Sequence, residues 1–326
     1  MSSVSILMPV KNAAMFLTQT LESIRSQDFQ DWELIAVNDH SSDESFDLLQ
    51  SFSKSDSRIQ VFQNEGQGII HALRLAYSKS SSNLITRMDS DDLMPEHKLS
   101  RMVSHTRPAA VVTGKVSYFR EDQELGDGYR RYADWLNALV DNQNHWKNIY
   151  KECVIPSPCW MMHREDLDRI GAFQSDVYPE DYDLVFRMYA ASLKVICVPE
   201  ELHLWRDHPE RSSRTDEHYV DNRFLDLKIS YFISLDFHKE TLLLLWGAGK
   251  KGKYIARHLH QEGIAFTWIT NNSKKWGKEI HGVILQEAAD LLPTDQVIIA
   301  VAAPEEQEEI KKELQNSGVK AQYFFC

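Results

Sequence analysis

Leu84–Asp92, LITRMDSDD, is the stretch on which the reading of the fold turns. A short, mostly apolar run ends abruptly in three carboxylates, Asp89, Asp91 and Asp92, and the pattern predicts a helix starting near Pro95. This is a buried strand carrying acids at its tip. Anions crowded at one strand end repel each other, so the arrangement is costly unless a cation or well-placed donors sit among them. One reading is Mg²⁺ or Mn²⁺, held by one or two carboxylates while a phosphate supplies further oxygens. The other is a solvated acidic helix N-terminus, where Asp is favoured without any metal.

Outward from this strand the pattern repeats. Val4–Val10 reads as a first buried strand, followed by Phe16, Leu17, Leu21 and Ile24 at helical spacing. Trp32–Asn38 is a second strand ending in Asn38-Asp39, and Ser41, Ser42 and Asp43 supply caps for a helix bearing Phe46, Leu49 and Phe52. Arg58–Gln63 is a third strand, leading into a helix with Ile70, Leu73 and Tyr77. Apolar strands alternating with amphipathic helices specify an α/β fold with a mostly parallel sheet and helices on both faces. Ligands in such sheets lie beyond the carboxyl ends of the strands, where Pro9–Asn12, Asn38-Asp39 and Asp89–Asp92 converge. Further on, Ala109–Phe119 and Lys194–Val198 read as strands, Arg120 to about Tyr132 as a loop, and Trp135, Leu136 and Leu139 as a helix. Ile155–Glu165 passes into a short helix ending at Gly171, and Asp181 stands at the start of another. Leu204–Arg214 concentrates Arg206, His208, Arg211 and Arg214, and a helix through Tyr219, Phe224, Leu227 and Tyr231 follows.

At 326 residues the chain is long enough for two domains. Its formal charge of -12 argues against a broad nucleic-acid footprint, so bound phosphate must be met locally by a metal or a few cations. Cys153, Cys159, Cys197 and Cys326 show neither close zinc-type pairing nor a dense disulfide framework, and read as free thiols in a reducing compartment. The opening MSSVSILMPVKN lacks a signal-peptide pattern, and Leu242–Trp246 falls far short of the roughly 20 residues that span a bilayer. A cytoplasmic protein is expected, with peripheral contact at the inner face of a membrane left open.

PVKN at Pro9–Asn12, VNDHSSD at Val37–Asp43, TRMDSDD at Thr86–Asp92, PEDYDLVFRM at Pro179–Met188 and WRDHPERSS at Trp205–Ser213 occur in one order over about two thirds of the chain. Together they resemble a family 2 glycosyltransferase of the GT-A fold. The resemblance implies transfer of a sugar from a nucleotide-diphosphate donor, usually a UDP-sugar, to the hydroxyl of a carbohydrate or glycoconjugate acceptor, with inversion at the anomeric carbon. It implies Asp181 as general base, Asp91 and His208 at a Mn²⁺ or Mg²⁺ ion, and Asp39, Asp89, Pro9 and Asn12 at the nucleotide-sugar. Arg206 and Arg211 are the expected diphosphate cations. The chemistry wants these types: a divalent ion neutralises the leaving diphosphate, and one carboxylate must take the acceptor proton. The plainer alternatives are an N-terminal helix acid for Asp181, a turn residue for Asp39, a packing histidine for His208 and solvated charges for the arginines. The chain departs from the family at Lys11, Asn38 and His40, where an aromatic, an acid and a glycine are common, which bears on nucleotide preference. No Q-x-x-R-W motif is present, so transfer of one sugar per encounter is expected. Surface polysaccharide or glycoconjugate assembly is the implied pathway. The alternatives are a nucleotidyltransferase and a non-catalytic sugar-nucleotide-binding scaffold.

A GT-A domain is expected over residues 1–214, a helical linker over 215–240 and a small Rossmann-like domain over 241–326. In the last, Gly247, Gly249 and Gly252 form G-x-G-x-x-G at a strand-to-helix turn. The ribose-binding acid expected roughly 20 residues later is missing, since the next strand ends Thr270-Asn271-Asn272. Scaffolding, partner docking or self-association is the favoured role for this domain, ahead of ligand binding.

Overall fold

The structure, a computed structural model, describes residues 3–121, 126–211, 224–288 and 291–326. The chain divides into two compact units, Met1–His145 with Cys153–Arg211, and Trp146–Glu152 with Ser212–Cys326. The Phe224–Leu235 helix, assigned from the sequence to a linker, falls within the second unit. Tyr219 and Arg214 lie outside the described residues.

The first unit is built on a seven-stranded sheet. Its strands are β1 (Val4–Val10), β2 (Trp32–Asn38), β3 (Ile59–Gln63), β4 (Leu84–Arg87), β5 (Ala110–Phe119), β6 (Trp160–His163) and β7 (Lys194–Arg206), in the order β3-β2-β1-β4-β6-β5-β7. Every strand pair is parallel except those made by β6, which runs against both β4 and β5. Near-continuous apolar runs suit strands covered on both faces, and all seven residues of β2 are buried. Helix α1 (Ala14–Arg25) turns Leu17, Thr20, Leu21 and Ile24 inward at helical spacing. The helices that follow are α2 (Ser45–Ser55), α3 (Ile69–Lys79), α4 (Lys98–His105), α5 (Asp127–Asn142), α6 (Arg164–Arg169) and α7 (Glu180–Ala190).

Register sets where the loops emerge. Val10 pairs with Asn38, so β1 and β2 end together, and Arg87 at the end of β4 pairs with Leu7 three residues short of Val10. Three expectations need correction. Strand β6 is absent from the sequence reading, because four residues behind two prolines carry little periodic signal. Helix α5 starts at Asp127, inside a segment read as loop. Strand β7 runs on to Arg206 rather than ending at Val198, with register shifts beside Gly114 and Lys115 that accommodate its polar Glu200-Glu201 step. A Cβ at Gly114 would stand 2.5 Å from Leu202 Cδ1, so only glycine lets the two strands close there.

The second unit carries β8 (Leu243–Trp246), β9 (Thr267–Ile269), β10 (Glu279–Ile280), β11 (Val283–Gln286), β12 (Gln296–Ile299) and β13 (Ala321–Phe324), in the order β10-β11-β9-β8-β12-β13. Only the β10–β11 pair is antiparallel. Its helices are α8 (Phe224–Leu235), α9 (Lys250–Gln261) and α10 (Pro304–Asn316). Leu244, Trp246, Val297 and Ile299 of the central strands form a core with Ile310 and Leu314 of α10. Residues 146–152 join this unit through Tyr150, whose ring stacks on Phe325 at 5.2 Å and meets Phe232 edge-on at 5.9 Å, with its hydroxyl on Asp236.

Two of the three motif glycines are accounted for by backbone packing. Gly247 adopts φ 119° against Ala300, and a Cβ on Gly252 would lie 2.1 Å from the Gly247 carbonyl oxygen. Gly249 faces open space. The Asn271 side chain, near where a ribose-binding acid would stand, accepts a 2.8 Å hydrogen bond from Trp246 Nε1. Gly252→Ala is therefore expected to lower the stability of the second unit by roughly 1–3 kcal/mol through overpacking, whereas Gly249→Ala leaves it within about 0.5 kcal/mol. Denaturant unfolding of the full chain checks both; equal effects would show that close packing at Gly252 is not the constraint.

Candidate active site

The loops after β1 and β2 are bound to each other. Asn12 and His40 sit in left-handed backbone, at φ 49° and 55°, a conformation that favours glycine and asparagine. Asn12 Oδ1 accepts from the Ser42 amide at 2.8 Å, and its own amide donates to Ser41 Oγ. Asp43 Oδ2 accepts from the Ala14 amide at 3.0 Å, and Ser45 Oγ from the Ala13 amide at 2.8 Å, so the β2 loop supplies the acceptors that α1 lacks at its own N-terminus. Asp39 is buried at the end of β2, where it accepts from Asn64 Nδ2 at 2.7 Å and from the Gly68 amide, with Lys11 Nζ at 3.5 Å. Pro9, paired with Val37, lies one residue before the strand end.

The acids after β4 fall into two environments. Asp91 is half-buried and pairs through Oδ2 with His208 Nε2 at 2.9 Å. Burial pushes its carboxyl up, but the hydrogen bond to His208 and the charge of Arg211 outweigh this and hold it below the usual carboxylate range. The His208 ring lies 4.5 Å from that of Phe16, which ties this point back to α1. Asp92 turns the other way and is buried, with Oδ1 on the Arg206 amide at 2.8 Å and Oδ2 on His203 Nε2 at 2.9 Å. Burial, and then the neighbouring charge of Asp91, drive its carboxyl well above the usual range.

Arg87 links the acids of β4 to those of α7. Its Nε donates to Asp89 Oδ1 at 3.1 Å and its Nη1 to Glu180 Oε1 at 2.9 Å, and the guanidinium is buried. Burial opposes its charge, but Asp89, Glu180 and Asp181 together raise its pKa above the usual arginine value. Asp181 opens α7, accepts a 2.7 Å bond from the Tyr182 amide, and lines a hollow with Arg87, Trp160, Phe173, Glu180 and Leu184. Burial first, and then the Glu180 charge, push its carboxyl up to about 7, against Arg87. A carboxyl in that range can take a proton near neutral pH.

These contacts run unbroken from Asp181 through Glu180, Arg87 and Asp89 to the acid tip, and from Asp91 through His208 to Phe16. Arg206 is engaged on every side. Its guanidinium is buried between the rings of Phe16 and Phe119, and donates to Gln19, Glu121 and the Asp91 carbonyl. Those bonds make it a brace for the acidic loop. Arg211 lies over Tyr118 at 5.0 Å and Trp205 at 5.6 Å, with its charge near Asp91 and Asp92. Among the described residues, no group of three or more His, Cys, Asp or Glu is arranged to hold a metal by itself. Asp91 Oδ2 with His208 Nε2 is a two-donor set, which fits a hard divalent ion only when a ligand's phosphate oxygens complete the coordination.

The family model described as Glycosyl transferase family 2 matches residues 5–171, just over half of the 326. The chain belongs to this family. An uncharacterized glycosyltransferase of Rickettsia bellii is 29% identical over 180 residues, covering 55% of this chain and 24% of the relative, so the chain spans about a quarter of that protein's length. Among solved structures, S. aureus TarS in complex with UDP gives a TM-score of 0.53 at 14% identity, over 79% of this chain and 70% of that one. The mannosyltransferase PcManGT of Pyrobaculum calidifontis, in complex with GDP-Man and Mn²⁺, gives 0.52 at 18% identity, over 72% of this chain and 64% of its own. At these identities the likeness is one of fold, and that fold is GT-A.

In this family 2 member, Arg87, Asn64, Asp43 and His203 hold the site together although the sequence reading gave them no such part. Arg87 left a visible signal, a cation two residues before the first acid of the tip. Arg87→Met is expected to destabilise the protein by roughly 3–5 kcal/mol, because it strands buried carboxylates, and to move the Asp181 titration above about 7. Carboxyl-carbon NMR titration against the unaltered protein checks this, and an unmoved Asp181 would show that the Arg87 charge does not act on it.

Proposed function

We propose that the chain transfers a sugar from a nucleotide-diphosphate donor, with UDP-sugars the first choice, to an acceptor hydroxyl with inversion and one sugar per encounter. The observation that carries this reading is Asp181, a carboxyl raised to about 7 at the wall of a hollow and tied through Arg87 to the acid tip. In the proposed step Asp181 takes the acceptor proton while the acceptor oxygen bonds to the anomeric carbon from the face opposite the diphosphate. The bond from that carbon to the diphosphate oxygen breaks, and the nucleoside diphosphate leaves with the electron pair. Apolar Trp160, Phe173 and Leu184 line the hollow and limit water that would compete with the acceptor. Asp39 and Asn12 are the proposed contacts of the nucleoside end, and Asp89 and Arg211 of the ribose and diphosphate. Asp91 and His208 would hold Mn²⁺ or Mg²⁺, which supplies charge neutralisation for the departing diphosphate.

The TarS complex with UDP and the PcManGT complex with GDP-Man and Mn²⁺ support a nucleotide-sugar donor. A carbohydrate or glycoconjugate acceptor in surface-polymer assembly is part of the same proposal. No helix among the described residues is long and apolar enough to cross a membrane.

Asp181→Asn is expected to lower kcat by on the order of 10²–10⁴ while nucleotide binding persists, and turnover of the unaltered enzyme should fall as pH drops through about 7, where Asp181 gains its proton. Assay of free nucleoside diphosphate with NMR of the product anomer tests both; pyrophosphate release instead would identify a nucleotidyltransferase. Asp91→Ala is expected to abolish the dependence of UDP binding on Mn²⁺, as read by calorimetry. Equally strong binding without the ion in the unaltered protein would falsify the metal assignment.

A further inference from the structure

Behind the acid tip runs a buried polar chain that the proposed chemistry does not use. Lys98, in the first turn of α4, is fully buried, as is His203 on β7. Lys98 Nζ lies 2.7 Å from the Pro158 carbonyl oxygen and 3.3 Å from His203 Nδ1, and His203 Nε2 lies 2.9 Å from Asp92 Oδ2. His203 thus bridges Lys98 Nζ and Asp92 Oδ2 through its two ring nitrogens.

The chain joins two parts of the site. At one end, Asp92 is adjacent to Asp91 and is fixed further by the Arg206 amide on its Oδ1 and by Thr20 Oγ1 on its carbonyl at 2.8 Å. The reciprocal amide bonds between Leu93 and Leu204, at 3.0 and 3.1 Å, clamp the same loop to β7. At the other end, the carbonyls entering β6 are each held by a separate buried donor: Pro158 by Lys98, Cys159 by Thr113 at 2.7 Å and Trp160 by Thr86. Ser157 and Trp160 of that segment line the hollow at Asp181. Well-packed apolar side chains in place of the whole polar chain would avoid the cost of burying these groups, so stability alone does not account for it.

We propose that Lys98 and His203 are positioning residues that orient Asp92, and through it the Asp91 carboxylate, while tying the donor side of the site to the wall of the acceptor hollow. The inference rests on the reading of Asp91 and His208 as the metal-binding pair. Outer partners that orient a ligating group act on metal affinity, typically by 10–100-fold, whereas a part in folding alone would lower stability and leave metal affinity unchanged.

The test is Mn²⁺ titration of UDP binding, followed by calorimetry on the full chain, for Lys98→Met, His203→Ala and His203→Gln, with thermal unfolding recorded in parallel. Lys98→Met and His203→Ala are expected to raise the half-saturating Mn²⁺ concentration at least about ten-fold, and His203→Gln, which keeps a donor toward Asp92, to recover most of that loss. If Lys98→Met does not fold, the two His203 variants carry the comparison. Lowered melting temperatures with unchanged Mn²⁺ dependence would overturn the proposal alone. Absence of any Mn²⁺-dependent UDP binding in the unaltered protein would overturn the metal-site reading and this proposal with it.

Discussion

Mutual repulsion among carboxylates is the constraint that shapes the first unit. Asp89, Asp91 and Asp92 leave one strand within four residues, and Glu180 and Asp181 arrive beside them from α7. The protein answers with cations and donors of different reach. Arg87 stands between the two acidic groups, His208 meets Asp91, the Arg206 amide and His203 divide the oxygens of Asp92, and the charge of Arg211 lies close by. Each acid thereby receives its own environment. Asp91 is held ready to be charged, Asp92 is drawn into the interior, and Asp181 is lifted toward neutrality of both pH and charge. Identical functional groups a few residues apart take on separate parts because burial and neighbours differ.

The sheet makes this separation stable. Because β1 and β2 end in register, their loops meet side chain to backbone, and Asp43 and Ser45 of one loop cap the helix that follows the other. The antiparallel insertion of β6 between β4 and β5 brings Trp160 and the preceding segment alongside the acid tip. Strand β7, running on past its bulged centre, delivers His203 and Arg206 to the same place. The site therefore draws on segments more than 100 residues apart, held by strand pairing and not by local chain geometry.

What could be read beforehand follows from this geometry. Strands β1, β2 and β4 carry near-continuous apolar runs and, with β3, regular helical partners, so the existence of these strands and their parallel direction were legible. The strand-end acids were legible too, since hydrophobic runs seldom stop at three carboxylates. Strand β6 and the far half of β7 were not, because both are specified by neighbours: a four-residue strand and the polar step Glu200-Glu201 have no period of their own. The internal contacts of Arg206 were hidden for a related reason. A cation in a basic cluster near a phosphate motif looks free until Phe16 and Phe119 are seen on either side of it. In the second unit the missing ribose acid was visible in Asn271, while the tight fit of Gly252 against Gly247 needed coordinates.

The short excursion of residues 146–152 into the second unit changes how the two halves are covalently related. The backbone crosses from one to the other three times, after His145, after Glu152 and after Arg211, so no single cut releases either half intact. A fragment ending at residue 211 would keep Tyr150 but forfeit Phe232 and Phe325, leaving an aromatic ring shorn of its apolar surroundings and inviting self-association.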